Sequence, residues 1–105
     1  MKDRHKMEAK SSEIEKIKQY ILDFFKDQEV AIFLFGSRAS GRYHQGSDVD
    51  IGVIPKKKYE PSKLIFLREL LENFNTPYKV DLVDFSHVSN EFKEEALKEA
   101  VWWKD

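Results

Sequence analysis

The feature that most constrains the fold is an unbroken apolar run, Val30–Phe35, which reads VAIFLF and ends at Gly36. The run is rich in β-branched and aromatic residues, which favour extended structure. A run of this kind is typical of a strand that is covered on both faces. The sequence therefore predicts a central strand in a sheet that packs against helices.

A helix is predicted before this strand. Apolar residues recur there at spacings of three and four, and Ser12 with Glu15 forms a capping-box pattern that indicates a helix start. The helix is expected to run from Ser12 to about Lys26, with a stripe made of Ile14, Ile17, Ile21 and Phe24. Residues 1–11 have no clear apolar period, so we expect a charged N-terminal arm there and a single domain over residues 12–105.

Two further strands are predicted by alternation. In Asp48–Ile54 the apolar residues fall on one face and the carboxylates on the other, because successive side chains of a strand point to opposite faces. In Lys79–Asp84 (KVDLVD), Val80 and Leu82 likewise face the core and Asp81 lies on the other side. A helix with a leucine stripe is expected from Pro61, and a last helix is expected to carry Phe92 into Trp102-Trp103. The predicted order is helix, strand, turn, strand, helix, strand, helix, which is an α/β fold with a small sheet.

Composition excludes several classes of protein. Eighteen Lys and Arg against nineteen Asp and Glu leave a net charge of −1, so nucleic acid is not expected as a direct ligand. The N-terminus is charged and no long apolar run occurs, so we expect neither a membrane span nor a signal peptide, and a cytoplasmic location. Cysteine is absent, which excludes thiolate catalysis and cysteine-bound zinc.

The aspartates predict a metal site. Asp48 and Asp50 project from one side of one strand, with Cα atoms about 6.5 to 7 Å apart, and two like charges this close favour a bound cation. In the third strand Asp81 points away from the apolar face, whereas Asp84 shares the parity of the apolar residues. Three carboxylates on one sheet face suit a hard divalent cation, and Mg²⁺, as a pair of ions, is the natural candidate.

A phosphate-binding turn is predicted beside the aspartates. Gly36-Ser37 directly follows the first strand, where a glycine turn can aim backbone N–H groups and a hydroxyl at an anion. Arg38 in the same turn is a further candidate for contact with a nucleotide, and Arg42 for contact with phosphate or a partner. Lys56–Lys58 is typical of a solvated loop. Of Trp102-Trp103, one ring is expected to pack and the other to mark an interface.

Two other motifs match the spacing of this region but lack residues that they require. Gly36 to Gly41 has the spacing of a Walker A loop, but Arg42-Tyr43 supplies neither its lysine nor its Ser or Thr. An EF-hand loop starting at Asp48 would place Gly52 at an oxygen-ligand position and Tyr59 at the position of the bidentate glutamate. Both interpretations are therefore excluded.

Gly36-Ser37, ten residues, then Asp48-x-Asp50 resembles the signature of the DNA polymerase β nucleotidyltransferase superfamily. GSRASG, SDVDIGV and KVDLVD together are similar to the minimal nucleotidyltransferase (MNT) family of prokaryotes, over Ser12 to about Ala100. The resemblance implies a mixed three-stranded sheet backed by helices. It implies an enzyme that transfers AMP from ATP to a hydroxyl and releases pyrophosphate. It also implies that Asp48 and Asp50 ligate both Mg²⁺ ions.

The resemblance further implies that Asp81 ligates the catalytic ion and accepts the proton of the attacking hydroxyl, while Gly36-Ser37 holds the triphosphate. Many MNT proteins are antitoxins encoded beside helical HEPN toxins. The leading hypothesis is therefore a protein adenylyltransferase that modifies a HEPN-type partner within a hetero-oligomer. Two alternatives stay open: an antitoxin that blocks its partner sterically without catalysis, and an enzyme that transfers a nucleotide to a small molecule or an RNA end.

Overall fold

The computed structural model describes residues 2–42, 48–57 and 60–105, and for residues 2–12 only the backbone. Within these ranges the chain forms a four-stranded sheet with helices packed on it. The elements are α1 (Lys2–Phe24), β1 (Val30–Phe35), α2 (Ser37–Ser40), β2 (Val49–Pro55), α3 (Pro61–Glu72), β3 (Val80–Asp84), α4 (Asn90–Leu97) and β4 (Val101–Lys104). In the described part of the chain, no helix combines the length and apolar character needed to cross a membrane.

The sheet has the order β3-β2-β1-β4. β1 pairs antiparallel with both β2 and β4, while β2 and β3 are parallel. A parallel pair needs a crossover connection, and α3 provides it. Arg68 of α3 donates from Nε to the carbonyl oxygen of Leu82 at 3.0 Å, which holds the crossover helix on β3. The predicted mixed α/β architecture is confirmed.

The predicted strand count of three is wrong, because Val101–Lys104 forms a fourth strand. The last helix ends at Leu97, so it does not continue into the tryptophans. Val-Trp-Trp has strong β-propensity, and pairing with β1 satisfies backbone groups along an edge of β1 that would otherwise be open. The antiparallel register places Trp102 opposite Phe33.

The predicted start of the first helix at Ser12 is also wrong, because α1 begins at Lys2. The first residues are mostly Lys, Arg, Met, Glu and Ala, which favour helix without needing an apolar stripe. The capping-box pattern at Ser12 therefore lies inside a helix. The division of the chain into an arm of residues 1–11 and a domain of residues 12–105 stays a prediction.

One face of the sheet, here called the closed face, is covered by α1 and α3, and every buried residue described on it is apolar. Its buried cluster consists of Ile17, Ile21, Phe25, Val30, Ile32, Leu34, Val49, Ile51, Val53, Leu64, Leu67, Leu71 and Leu82. The predicted inward positions of β2 are confirmed, since Val49, Ile51 and Val53 are all fully buried. This face contains the main core of the protein.

The other face, here called the open face, is smaller and aromatic. Phe33, Phe35 and Phe85 form its buried cluster, against which apolar residues of α4 pack. Phe92 and Trp102 border it and remain 44% and 45% exposed. The ring of Trp102 lies 5.0 Å from that of Phe33, between centroids. The open face is therefore only partly covered.

The two adjacent tryptophans fall on opposite faces of the sheet. Trp103 is partly buried against the closed-face cluster, whereas Trp102 lies on the open face. Period-two geometry explains this division, because neighbouring residues of a strand cannot share a face. The role of an exposed tryptophan in an interface stays a prediction.

Candidate functional site

The open face carries the predicted carboxylates at one end of the sheet. In the parallel pairing of β2 and β3, Asp50 lies directly opposite Asp81. Neighbouring strands are about 4.8 Å apart, so the two side chains leave the same face from adjacent positions. Asp48 directly precedes β2 and is half-buried. The sheet thus brings together the two aspartates that strand parity selected from separate segments.

The surroundings of Asp50 disfavour its ionised form. Burial raises the pKa of the Asp50 carboxyl above its usual range, and the negative charges of Asp81 and then of Asp48 raise it further. Both effects disfavour the ionised form of Asp50. A cation held between these side chains would reverse the effect, because it would stabilise all three carboxylates in their charged form.

Asp84 has a different local role. Its Oδ1 accepts hydrogen bonds from the backbone N–H and the hydroxyl of Ser86, at 2.8 and 2.6 Å. This arrangement closes the turn that follows β3. The parity argument that preferred Asp81 is therefore consistent with the positions of both aspartates.

Gly36 lies against Asp50. Its φ of +75° is a conformation that residues with a side chain rarely adopt. A Cβ on Gly36 would also collide with Oδ2 of Asp50. Because Phe35 is the register partner of Asp50, the turn that follows β1 begins directly beside this carboxylate. Glycine is required here for two reasons, the backbone angle and the close approach.

The turn after Gly36 is held by local hydrogen bonds. The backbone N–H of Ser40 donates to the carbonyl oxygen of Gly36 at 3.1 Å, and its hydroxyl donates to the carbonyl oxygen of Ser37 at 3.2 Å. Arg42 donates to Oγ of Ser40 and forms an exposed ion pair with Glu99 at 2.9 Å. Arg42 therefore connects this turn to the segment after α4.

A groove of about 480 Å³ separates the turn from α4. Gly36 and Ser37 form part of one wall, and Phe92 and Ala96 form part of the other. Its volume is within the range of small-ligand sites. Sequence patterns do not reveal this groove, because its two walls are more than fifty residues apart along the chain.

Arg38 points to Tyr78. Its guanidinium carbon lies 4.7 Å from the centroid of the Tyr78 ring. Local sequence patterns could not reveal this contact, because period and spacing carry no information about partners forty residues apart. The predicted contact of Arg38 with a nucleotide stays a prediction. In the lysine run, Lys57 pairs with Glu29 at 3.2 Å, and Lys58 lies outside the described residues.

The donor set suits a hard divalent cation, although no group of three acidic, histidine or cysteine side chains within the described ranges is close enough to form a metal site by itself. Carboxylate oxygens are the ligands that Mg²⁺ prefers. Burial and the neighbouring carboxylates raise the pKa of Asp50, and a positive charge beside it would favour its ionised form. Asp48, Asp50 and Asp81 therefore fit a divalent cation by ligand chemistry and by charge.

Comparisons with known proteins define the class first. The sequence model of the family described as "Polymerase beta, Nucleotidyltransferase" matches residues 15–102. This match covers most of the chain, and it includes every residue of the candidate site. The chain therefore belongs to the polymerase β nucleotidyltransferase family.

More specific similarities follow. The chain is 28% identical over 88 residues to "Probable protein adenylyltransferase MntA" of Haemophilus influenzae, a match that covers 84% of this chain and 75% of the relative. It also resembles a chain in the crystal structure of a toxin–antitoxin with AMP-PNP, with a TM-score of 0.64 and 25% identity, covering 82% and 71% of the two chains.

The fold also matches a chain in the structure of the tri-AMPylated Shewanella oneidensis HEPN toxin in complex with MNT antitoxin. The TM-score is 0.58 at 21% identity, with 82% of this chain and 67% of that chain covered. At this identity the likeness concerns the fold alone. Together with the MntA relative, it confirms the resemblance to MNT proteins that the sequence motifs indicated.

Proposed function

We propose that this protein is a Mg²⁺-dependent nucleotidyltransferase that transfers AMP from ATP to a hydroxyl group and releases pyrophosphate. The observation that carries the proposal is the in-register pair of Asp50 and Asp81, with the Gly36 turn packed against Asp50. Membership of the polymerase β nucleotidyltransferase family supports the reaction class. In this reaction the hydroxyl oxygen bonds to the α-phosphorus while the bond to the pyrophosphate oxygen breaks.

The three aspartates divide the work. Asp48 and Asp50 would hold both cations, and Asp81 would hold one of them and take the proton from the attacking hydroxyl. Bound Mg²⁺ supplies charge neutralisation for the triphosphate. Asp81 is exposed and β3 is an edge strand of the sheet, so an acceptor can approach it from solvent.

The turn would hold the leaving group. Backbone N–H groups after Gly36 and the hydroxyl of Ser37 are suitable donors for phosphate oxygens. Gly36 has no side chain, so the turn lies close to Asp50, and a triphosphate bound there would be next to the carboxylates. Catalysis of phosphoryl transfer depends mainly on such positioning and on charge neutralisation.

The acceptor that we propose is a hydroxyl on a HEPN-type partner protein. The support is the name of the Haemophilus relative, a protein adenylyltransferase, and the HEPN toxin in complex with MNT antitoxin whose fold this chain shares. This chain would then be the antitoxin of a toxin–antitoxin pair, acting in a hetero-oligomer.

The test is a labelling experiment. The protein is incubated with ATP labelled at the α-phosphate, Mg²⁺ and the protein that its neighbouring reading frame encodes, which the proposal expects to be of the HEPN type. We expect label on that partner, loss of label with EDTA, and loss with Asp50→Asn. Asp23→Asn is the matched control, because Asp23 is an exposed aspartate on α1, away from the open face.

Two outcomes would contradict the proposal. Full neutralisation of the partner by the Asp50→Asn variant, with no label transferred by the wild type, would identify a binding antitoxin without catalysis. Label on RNA or on a small molecule, with none on the partner, would leave the reaction class intact but reject the protein acceptor.

A further inference from the structure

We propose that Tyr78 is a positioning residue that fixes the phosphate turn, defined here as Gly36–Ser40, by holding the side chain of Arg38. The inference rests on the proposed function to the extent that this turn holds the triphosphate. It assigns Arg38 to the tyrosine ring, whereas the sequence motif suggested a direct contact with the nucleotide. The two roles predict different results, so they can be separated by experiment.

The contact itself is the first observation. The Arg38 guanidinium carbon is 4.7 Å from the centroid of the Tyr78 ring, within the range of a cation–π interaction. Tyr78 is partly buried and packs against the closed-face cluster, as does Ala39, the residue next to Arg38. The Tyr78 ring is therefore held by its contacts with the core, and the Arg38 guanidinium lies over this fixed ring.

The position of Tyr78 in the chain is the second observation. Tyr78 lies just before β3, and the carbonyl oxygen of the next residue, Lys79, accepts a hydrogen bond from the N–H of Val49 at 2.8 Å. This bond fixes the start of β3 beside the start of β2. The contact between Arg38 and Tyr78 therefore ties the phosphate turn to the strand that carries Asp81.

Besides the packing of Ala39 on the closed-face cluster, two further contacts bear on the position of the turn. The two hydrogen bonds that Ser40 donates reach only Gly36 and Ser37, so they shape the turn without placing it on the sheet. The ion pair of Arg42 with Glu99 is exposed, and exposed pairs hold geometry poorly. Tyr78 is therefore well placed to set the distance between the turn and Asp81.

This distance matters for the proposed reaction. The triphosphate on the turn and the carboxylate of Asp81 act on opposite sides of the same phosphorus atom. A shift of about 1 Å in such an arrangement can reduce the rate about a hundredfold. A residue that never touches the substrate can thus control both the affinity for ATP and the rate.

The test is a double-mutant cycle on the binding of ATP with Mg²⁺, measured by calorimetry without any acceptor. The variants are Tyr78→Leu, Arg38→Gln and the double variant, with Tyr78→Phe as the matched control that keeps the ring. We expect Tyr78→Leu to weaken binding about tenfold, a factor in line with a partly buried cation–π contact. Tyr78→Phe should stay within about twofold, and the double variant should bind no more weakly than Arg38→Gln.

The opposite pattern would overturn the proposal. If Arg38→Gln weakens ATP binding while Tyr78→Leu does not, or if the two losses multiply in the double variant, Arg38 contacts the phosphate independently of Tyr78. Equal losses for Tyr78→Leu and Tyr78→Phe would also overturn it, because the hydroxyl and not the ring would then be responsible.

A second readout does not depend on the proposed function. In the ATP-free protein, the amide resonances of Gly36 and Ser37 should shift in Tyr78→Leu and in Arg38→Gln but stay in place in Tyr78→Phe. If Tyr78→Leu fails to fold, the amide resonances of Gly36 and Ser37 are compared between the wild type and Arg38→Gln only. Unmoved resonances would reject the positioning role. A wild type that neither binds ATP nor transfers label would instead reject the proposed function.

Discussion

The two faces of the sheet are built from the same strands but have opposite properties. On β2, Val49, Ile51 and Val53 are fully buried in the aliphatic closed face. Asp50, between them, projects from the open face and has a pKa raised by burial and by the charges of Asp81 and Asp48. Alternate residues of one strand therefore face either the hydrophobic core or the proposed site.

The comparison separates the face that stabilises the fold by apolar burial from the face that destabilises it by charge repulsion. Each large aliphatic side chain on the closed face stabilises the fold by about 1.5 to 3 kcal/mol through burial. The carboxylates of the open face repel one another, so they oppose folding until a cation binds between them. The closed face offsets this repulsion, since no polar or charged residue is buried in it among the described residues.

The strongest way to break this comparison is to replace Asp50. Asp50→Asn should lower the rate of nucleotide transfer about a thousandfold, because it removes a proposed ligand of the cations that neutralise the triphosphate. Its free energy of unfolding should be equal to or higher than that of the wild type, since repulsion is relieved. Transfer assays and urea unfolding measure the two effects. A loss of stability as large as that of a core variant would show that the two faces do not divide the work.

The converse change is made on the closed face. Ile21→Ala should lower the free energy of unfolding by about 3 kcal/mol, because it leaves a cavity in a fully buried cluster. ATP affinity of the folded fraction should be unchanged. Ile65→Ala is the control, since Ile65 is 55% exposed on α3 and should change stability by less than about 0.5 kcal/mol. A clear loss of affinity in Ile21→Ala would mean that the faces are coupled.

Two glycines sharpen the comparison at the edge of the site. Gly36 and Gly41 both have positive φ, but a Cβ would meet Asp50 only at Gly36, while the space around Gly41 is open. Gly41→Ala should destabilise the fold by about 1 to 2 kcal/mol, because Gly41 has left-handed helical backbone angles. Gly36→Ala should destabilise it more, because the backbone angles of Gly36 are accessible essentially only to glycine. Only Gly36→Ala should also reduce transfer, about tenfold or more, through displacement of Asp50. Equal transfer rates in the two variants would contradict the contact with Asp50.

The smallest expected effect is a dependence of stability on pH. Because the folded protein raises the pKa of Asp50, it binds this proton more tightly than the unfolded chain does. The contribution of Asp50 to stability should therefore fall as pH rises from the ordinary aspartate value of 3.8 through the raised pKa. Relative to Asp50→Asn, the wild type should lose stability over this window, and Mg²⁺ should reduce the loss. An unchanged difference between the two proteins across the window would refute the raised pKa.

Much of the fold could be predicted because it is written in local patterns. The apolar run of β1 and the alternation of β2 and β3 depend only on period two, and the structure confirms all three strands. The same parity distinguishes Asp81 from Asp84 on the basis of the sequence alone. The functional roles of these aspartates stay a prediction.

The features that could not be predicted all depend on distant partners. β4 is a strand because β1 offers it an edge, and its sequence alone was equally compatible with the end of a helix. The groove beside Gly36 and the contact between Arg38 and Tyr78 join segments that are far apart in the chain. The early start of α1 was missed for a different reason, since helix propensity there acts without an apolar period.

The register of β2 on β3 has a further consequence for the fidelity of folding. A slip of one residue between these strands would leave Asp50 opposite an apolar neighbour and would turn a set of side chains to the wrong face. Carboxylates would then enter the aliphatic core, where unpaired charge is strongly disfavoured. The register that buries the apolar residues of the closed face is therefore the same register that aligns the aspartates of the open face.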